Sequence, residues 1–286
     1  MSAVKDAGGV VPGQAEVMAQ AGSENFPVAA FFLPGKLRRH LLNIYGFARL
    51  VDDLGDEVEG DRLAHLNWLE SELDRTYSGS PHHPLMRRLA VTVGEFAIPR
   101  QPFLDLIEAN RRDQTIKRYA NVDELIEYCS YSANPVGRLV LYVFSAPTED
   151  RIELSDAVCT GLQLVEHWQD VAEDYAAGRI YLPGDDMERF GVSENELAGG
   201  HASAEFRRLM DFEVQRAHEM LTAGAPLANT LRGRRRLAIA AFVAGGRAAL
   251  NAIQKADFDV LSRSPRPSKA SYLLELGRTL WGLRGQ

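Results

Sequence analysis

Cysteine is nearly missing from this 286-residue chain, with Cys129 and Cys159 the two present. That argues against a disulfide-stapled scaffold and makes a reducing cytoplasm the default compartment. Positive charge is also in deficit: 32 lysines and arginines stand against 39 acids, for a net −7. Such a chain has no overall basic field with which to hold nucleic acid. Apolar runs stay short of the roughly 18 uninterrupted residues that mark a membrane span, so none is expected. A glycine-rich strand–turn–helix fingerprint is missing too, so no NADPH dependence is expected. Residues 1–22 contain one lysine, many small residues and no apolar run. They read as a flexible lead-in, not as a signal peptide or anchor.

Strand patterns are scarce, whereas helical periodicity recurs from Pro34 onward. Leu37, Leu41, Ile44, Ala48 and Val51 advance by three or four, as on a helix facing a core. Further helices are predicted over 62–77, 85–96, 101–112, 122–144, 149–177, 205–224, 230–256 and 269–283, with Asn121 as the cap of the fifth helix counted from Pro34. Residues 178–203 read as loop with one short helix. The economical reading is one all-α domain over residues 23–286.

Two acidic clusters carry the chemistry. Asp52 and Asp56 are four apart at the end of an apolar helix, and Asp170 and Asp174 repeat that spacing. On an α-helix such pairs share a face. Gln163 lies on the same stripe as Asp170 and Asp174, with Glu166 and His167 on its flanks. Either cluster alone reads as a solvated surface. Two matched clusters bordered by apolar positions instead favour a divalent cation. Mg²⁺ binds one or two carboxylates, keeps waters and takes phosphate oxygens. The chemistry that follows is metal-assisted departure of diphosphate, leaving a carbocation.

The segment from Ile44 to Glu57 (IYGFARLVDDLGDE) resembles the first signature of the squalene and phytoene synthase family. Gly161 to Tyr175 (GLQLVEHWQDVAEDY) resembles the second, and runs on into Gly178-Arg179-Ile180-Tyr181-Leu182-Pro183. Tyr128-Cys129 followed by Val136-Gly137 is similar to the family's central helix. The resemblance implies a helical isoprenoid synthase bundle around a central apolar cavity, with two or three Mg²⁺ ions and an isoprenoid diphosphate as substrate. It implies metal ligation by Asp52, Asp56, Asp170 and Asp174, with Asp53 in support. Arg49 and Arg179 would grip diphosphate, Tyr45 would cap that site, and Tyr128 would act near the cation. Gln163 and Glu166 would border the substrate. Phe26, Ala133, Val136, Gly137 and Gly161 would make room for prenyl chains.

Residues 23–29 and 132–137 look most like the bacterial hydroxysqualene synthase branch. That branch implies presqualene diphosphate and water as substrates and a separate downstream hydroxysqualene reductase. It also leaves room for peripheral contact with the inner membrane. Alternatives stay open: a two-substrate head-to-head synthase, or a non-catalytic helical scaffold. Arg49 has the bland reading of a surface pair with Asp52 or Asp53, and Tyr128 that of a satisfied core tyrosine. His167 is given no role, and the arginine run Arg232 to Arg236 reads as a solvated helix start. Three departures stand out: Glu166 where the family usually carries Asn, Gln169 where head-to-head synthases often carry Arg, and Glu24 in a region where related synthases present a basic residue.

Overall fold

A computed structural model describes residues 33–282, together with 5–6, 9–10, 12, 13 and 17. Among the described residues the fold is all-α apart from a minimal hairpin, in which β1 (Lys5–Asp6) pairs antiparallel with β2 (Gly9–Val10). Contacts group the chain into two compact units, Met1–Thr115 with Pro135–Ile152, and Ile116–Asn134 with Glu153–Gln286.

The first unit contains α1 (Gly35–Asp52), a π-helical turn (Asp53–Glu57), α2 (Arg62–Ser78), α3 (Pro84–Phe96) and α4 (Gln101–Arg112). Burial on α1 goes beyond a single stripe. Leu41, Ile44 and Val51 are buried as expected, and so are Tyr45, Phe47 and Leu50. Asn43 Nδ2 donates to Arg88 O at 3.1 Å and to Thr92 Oγ1 at 2.9 Å, tying α1 to α3. Asp61 caps α2 by accepting from Ala64 N, and Gly79 ends that helix at φ 83°, where a side chain would be strained.

The second unit contains α5 (Val122–Ser132), most of α7 (Glu149–Gln169), α8 (Val171–Ala176), α9 (Gly184–Phe190), α10 (Glu194–Leu197), α11 (Ala204–Gly224), a 3₁₀ turn (Ala225–Thr230), α12 (Gly233–Lys255) and α13 (Lys269–Gly282). Asn121 caps α5 as expected, accepting from Glu124 N at 3.0 Å. Small residues let α7, α11 and α12 approach closely. A Cβ on Gly224 would meet Val158 Cγ2 at 2.6 Å and Leu154 O at 2.7 Å, and one on Gly246 would meet Leu162 and Leu221 at 2.8 Å. Gly161, expected to leave room for prenyl chains, is instead filled: a Cβ there would meet Leu221 Cγ at 2.9 Å. Helix α12 is long and apolar enough to cross a membrane by length and composition, but 61% of that stretch is buried within the protein.

Two helices expected to be continuous are broken. The 122–144 stretch divides at Ala133 into α5 and α6 (Asn134–Val143), since Pro135 offers no N–H with which to continue the hydrogen-bond ladder of α5. The 149–177 stretch divides at Asp170, whose φ/ψ of −109°/20° ends α7 and opens α8. The loop after Gly178 holds two short helices, α9 and α10, where one was expected.

Candidate active site

The first aspartate motif lies where α1 turns into the π-helix. Val58 N donates to Asp53 O at 2.9 Å, the five-residue closure of a π-turn. A spacing of four therefore does not stack Asp56 over Asp52 as it would on a continuous α-helix. The Asp52 side chain is exposed to solvent, yet protein atoms crowd its base. That crowding raises its pKa to about 7, with Asp56 and Asp53 adding to the rise and Asn110 and Arg49 opposing it. Asn110 Nδ2 donates to Asp52 Oδ1 at 3.2 Å from the end of α4. Gly55 makes that approach possible, because a Cβ there would collide with Asn110 Oδ1. Just past α4, Gln114 Nε2 donates to Gly55 O at 3.1 Å and so supports the π-turn from below.

Arg49 Nε lies 2.7 Å from Asp53 Oδ1, and its Nη2 donates to Glu57. Asp53 is buried and spent on that arginine, so its carboxylate serves to aim Arg49. Tyr45, one turn earlier on α1, is buried as well. On α6, Gly137 is buried and Val136 half-buried. Phe26 and its neighbours Glu24 and Ala29 lie outside the described residues.

The second motif is built around the break at Asp170. Asp170 Oδ1 accepts from Ser264 Oγ at 2.8 Å and from Arg266 Nη2 at 3.1 Å. Gln169 Nε2 donates to Pro265 O, so three consecutive loop residues, Ser264 to Arg266, strap the kink. Asp174 N donates to Asp170 O at 2.8 Å, and Arg179 N to Asp174 O at 2.8 Å. Burial raises the Asp174 pKa to about 7, with Asp170 adding to the rise and Arg179 opposing it. The loop carrying Arg179 is anchored by Arg118, which donates to Gly178 O at 2.8 Å and pairs bidentately with Glu194 at 2.8 and 3.0 Å.

Tyr128 is buried in an aromatic group on the same unit. His167 stacks on Tyr181 with centroids 3.6 Å apart, and Tyr128 lies 6.0 Å from Tyr181, 6.4 Å from His167 and 5.5 Å from Tyr119. Burial, with Arg179 nearby, lowers the His167 pKa to about 3, so the ring is neutral. With Gln163 Nε2 donating to His167 Nε2 at 3.2 Å, the ring proton sits on Nδ1, 4.0 Å from Asp174 Oδ2. A small cavity lined by His167, Asp174, Arg179 and Tyr181 adjoins this group. Glu166 is exposed, and Ala133 and Gln163 are half-buried. Thr160 Oγ1 donates to Asn134 Oδ1 at 3.0 Å, fixing the α5–α6 break against α7.

Among the described residues, no three His, Cys, Asp or Glu side chains cluster closely enough to form a metal cage. Each motif instead supplies a few oxygens. Asp52 and Asp174 are carboxylates whose charge the protein leaves under-compensated. Sparse carboxylate oxygen of this kind fits Mg²⁺, which completes its octahedron with water and substrate phosphate.

An all-helical body with aspartate motifs set at two helix breaks defines the isoprenoid synthase class of fold. The chain belongs to the squalene/phytoene synthase family, whose model matches residues 19–271, and it is an enzyme of isoprenoid biosynthesis. It is 36% identical over 217 residues to the hydroxysqualene synthase of Zymomonas mobilis, covering 74% of this chain and 72% of that one. It is 29% identical over 266 residues to phytoene synthase 2 of Solanum lycopersicum, covering 89% of this chain and 84% of that one. The crystal structure of a squalene synthase from Alicyclobacillus acidocaldarius superposes at a TM-score of 0.81 with 41% identity, over 86% of this chain and 93% of that one. A ligand-bound dehydrosqualene synthase superposes at 0.85 with 27% identity, over 96% and 97%.

Proposed function

We propose that the protein converts presqualene diphosphate and water into hydroxysqualene and diphosphate, with Mg²⁺ as cofactor. The observation that carries this reading is the likeness to hydroxysqualene synthases, at 36% identity for the Zymomonas mobilis enzyme, in a chain that keeps Asp52, Asp56, Asp170 and Asp174. Those four carboxylates would hold Mg²⁺, which when bound neutralises the departing diphosphate. Arg49, aimed by Asp53 and Glu57, and Arg179, anchored beside Asp174, add positive charge for the phosphate oxygens. Cleavage of the carbon–oxygen bond sends the electron pair to diphosphate and leaves a cyclopropylcarbinyl cation. The buried faces of Tyr128 and its aromatic neighbours suit a cation in a dry site. After rearrangement water adds its oxygen to the cation, and the proton it loses passes to diphosphate. The balance contains no hydride, in keeping with a reaction that runs without NADPH.

The test is incubation of the purified protein with presqualene diphosphate and Mg²⁺ in ¹⁸O-water, followed by mass spectrometry. Labelled hydroxysqualene without added reductant is the expected product. Squalene formed only when NADPH is supplied would overturn the assignment. The similarity to phytoene synthases over 89% of the chain favours a second reading, condensation of two prenyl diphosphates. Product formed from farnesyl or geranylgeranyl diphosphate alone would establish it. The family's downstream chemistry then calls for a separate reductase, and an inner-membrane location suits so apolar a product.

A further inference from the structure

Charge is distributed very unevenly along this acidic chain. Residues 231–286 hold eleven lysines and arginines against three acids, a net +8 in a protein whose total is −7. This stretch includes α12, which is mostly buried, and α13, which is not. Helix α13 seats one face: Glu275 and Thr279 are buried, Arg247 Nη1 donates to Thr279 Oγ1 at 3.3 Å, and Tyr272 lies against Gly245. The other face is greasy and uncovered. Leu273 is 64% exposed, Leu274 55% and Trp281 77%.

At about 100° per residue, Leu273, Gly277, Ala270, Trp281 and Leu274 fall within one arc about 100° wide. Lys269 borders that arc on one side and Arg278, which pairs with Glu275 at 2.7 Å, on the other, and all seven residues are exposed. An apolar stripe with a tryptophan, edged by cations, is the design of a helix that lies in a lipid interface. A second copy of the chain suits the stripe poorly, because pairing it with itself would bring the two basic rims together.

We propose that the outer face of α13 docks the protein flat on an anionic bilayer, with Leu273, Leu274 and Trp281 entering the headgroup boundary. The basic C-terminal stretch supplies the long-range attraction, and α12 stays in the protein core. The surface lies on the unit that carries the second aspartate motif, whose strap residues Ser264 and Arg266 immediately precede α13. The proposal concerns binding alone and stands apart from the reaction assigned above.

The test is co-sedimentation of the full chain with vesicles of phosphatidylcholine, with and without about 30% phosphatidylglycerol. Binding to the anionic vesicles should exceed binding to the neutral ones about tenfold and weaken in about 0.5 M salt, where screening shortens the reach of charge. Tryptophan emission should shift to the blue as Trp281 leaves water. The variant L273S/L274S/W281S should lose about tenfold in vesicle affinity while melting at an unchanged temperature, since it alters exposed side chains only. If it fails to fold, K269E, which keeps the apolar arc and the Arg278–Glu275 ion pair, should show a several-fold loss on anionic vesicles alone. Equal binding to both vesicle types, wild-type binding by the triple variant, or an intact dimer that the triple variant abolishes would each overturn the proposal.

Discussion

Asn110 is the residue most in need of a functional test, because among the described residues it is the neutral side chain that donates to Asp52. Its hydrogen bond opposes the burial that raises the Asp52 pKa. Removing such a supporting partner typically costs 10–100-fold in metal affinity or activity. Asn110→Ala should therefore raise the Mg²⁺ concentration for half-maximal turnover by roughly tenfold, measured by titrating Mg²⁺ at saturating substrate. Gly55→Ala should lower stability by about 1–3 kcal/mol, because its Cβ meets the Asn110 side chain. The double variant should melt above Gly55→Ala alone, since truncating Asn110 vacates the space; simple additivity would refute this account. Asp52 and Asp56 could be singled out in the sequence because their signal is local. Asn110 could not, being 58 residues from Asp52, and neither could Ser264, which is 94 from Asp170. The terminal polar run from Asn110 to Gln114 is the one hint that α4 ends at something polar.

Helix boundaries were legible wherever caps or periodicity fixed them, as at Asn121 and over all of α4. They failed at Asp170, where no proline or glycine marks the break and the cause is a distant strap. They also missed the change at Asp53, where the α-helix gives way to a π-turn, because a π-turn and an α-turn share one apolar pattern. Glycines make the contrast at this scale testable. Gly224→Ala in α11 would press on the backbone of α7 and should cost about 1–3 kcal/mol. Gly94→Ala in α3, with nothing within 4 Å, should gain about 0.5–1 kcal/mol. Thermal melts of the two variants should move in opposite directions. A third test concerns how α11 is tied to α9. Arg216 Nη1 donates to Glu213 Oε2 at 2.6 Å and to Asp186 Oδ2 at 2.8 Å, one guanidinium between two carboxylates. Burial and the neighbouring Asp186 raise the Glu213 pKa to about 8, overriding the opposing pull of Arg216. The folded state therefore keeps a proton that the unfolded chain releases. That stability is fully present below the ordinary glutamate pKa and is lost as pH rises toward about 8. Glu213→Gln should flatten the fall in melting temperature across that window, and an unchanged slope would show that Glu213 is ionised throughout.

At the scale of the whole molecule, the two aspartate motifs belong to different compact units, and the proposed reaction needs both. Helical periodicity made the all-α class legible, but it could not reveal how each unit handles its carboxylates. Asp52 and Asp174 have pKa values raised to about 7, so each is close to half protonated at neutral pH, and metal must compete with protons for it. A ligand that binds only the folded state stabilises it by about 2.7 kcal/mol at a hundredfold excess over its dissociation constant. For a chain of this size that amounts to a rise of about 5 °C in melting temperature. Mg²⁺ and inorganic diphosphate supplied together should produce such a rise. Either alone should produce little, because the cation needs phosphate oxygens to complete its shell and the anion needs the cation to approach acidic side chains. Asp52→Asn and Asp174→Asn each remove one negative charge from a crowded acidic motif, so the ligand-free melting temperature should hold or increase in both. The joint effect of Mg²⁺ and diphosphate should nonetheless vanish in each variant separately. If one variant kept the full rise while the other lost it, a single motif would hold the diphosphate, and ionisation shared by both units would have to be given up.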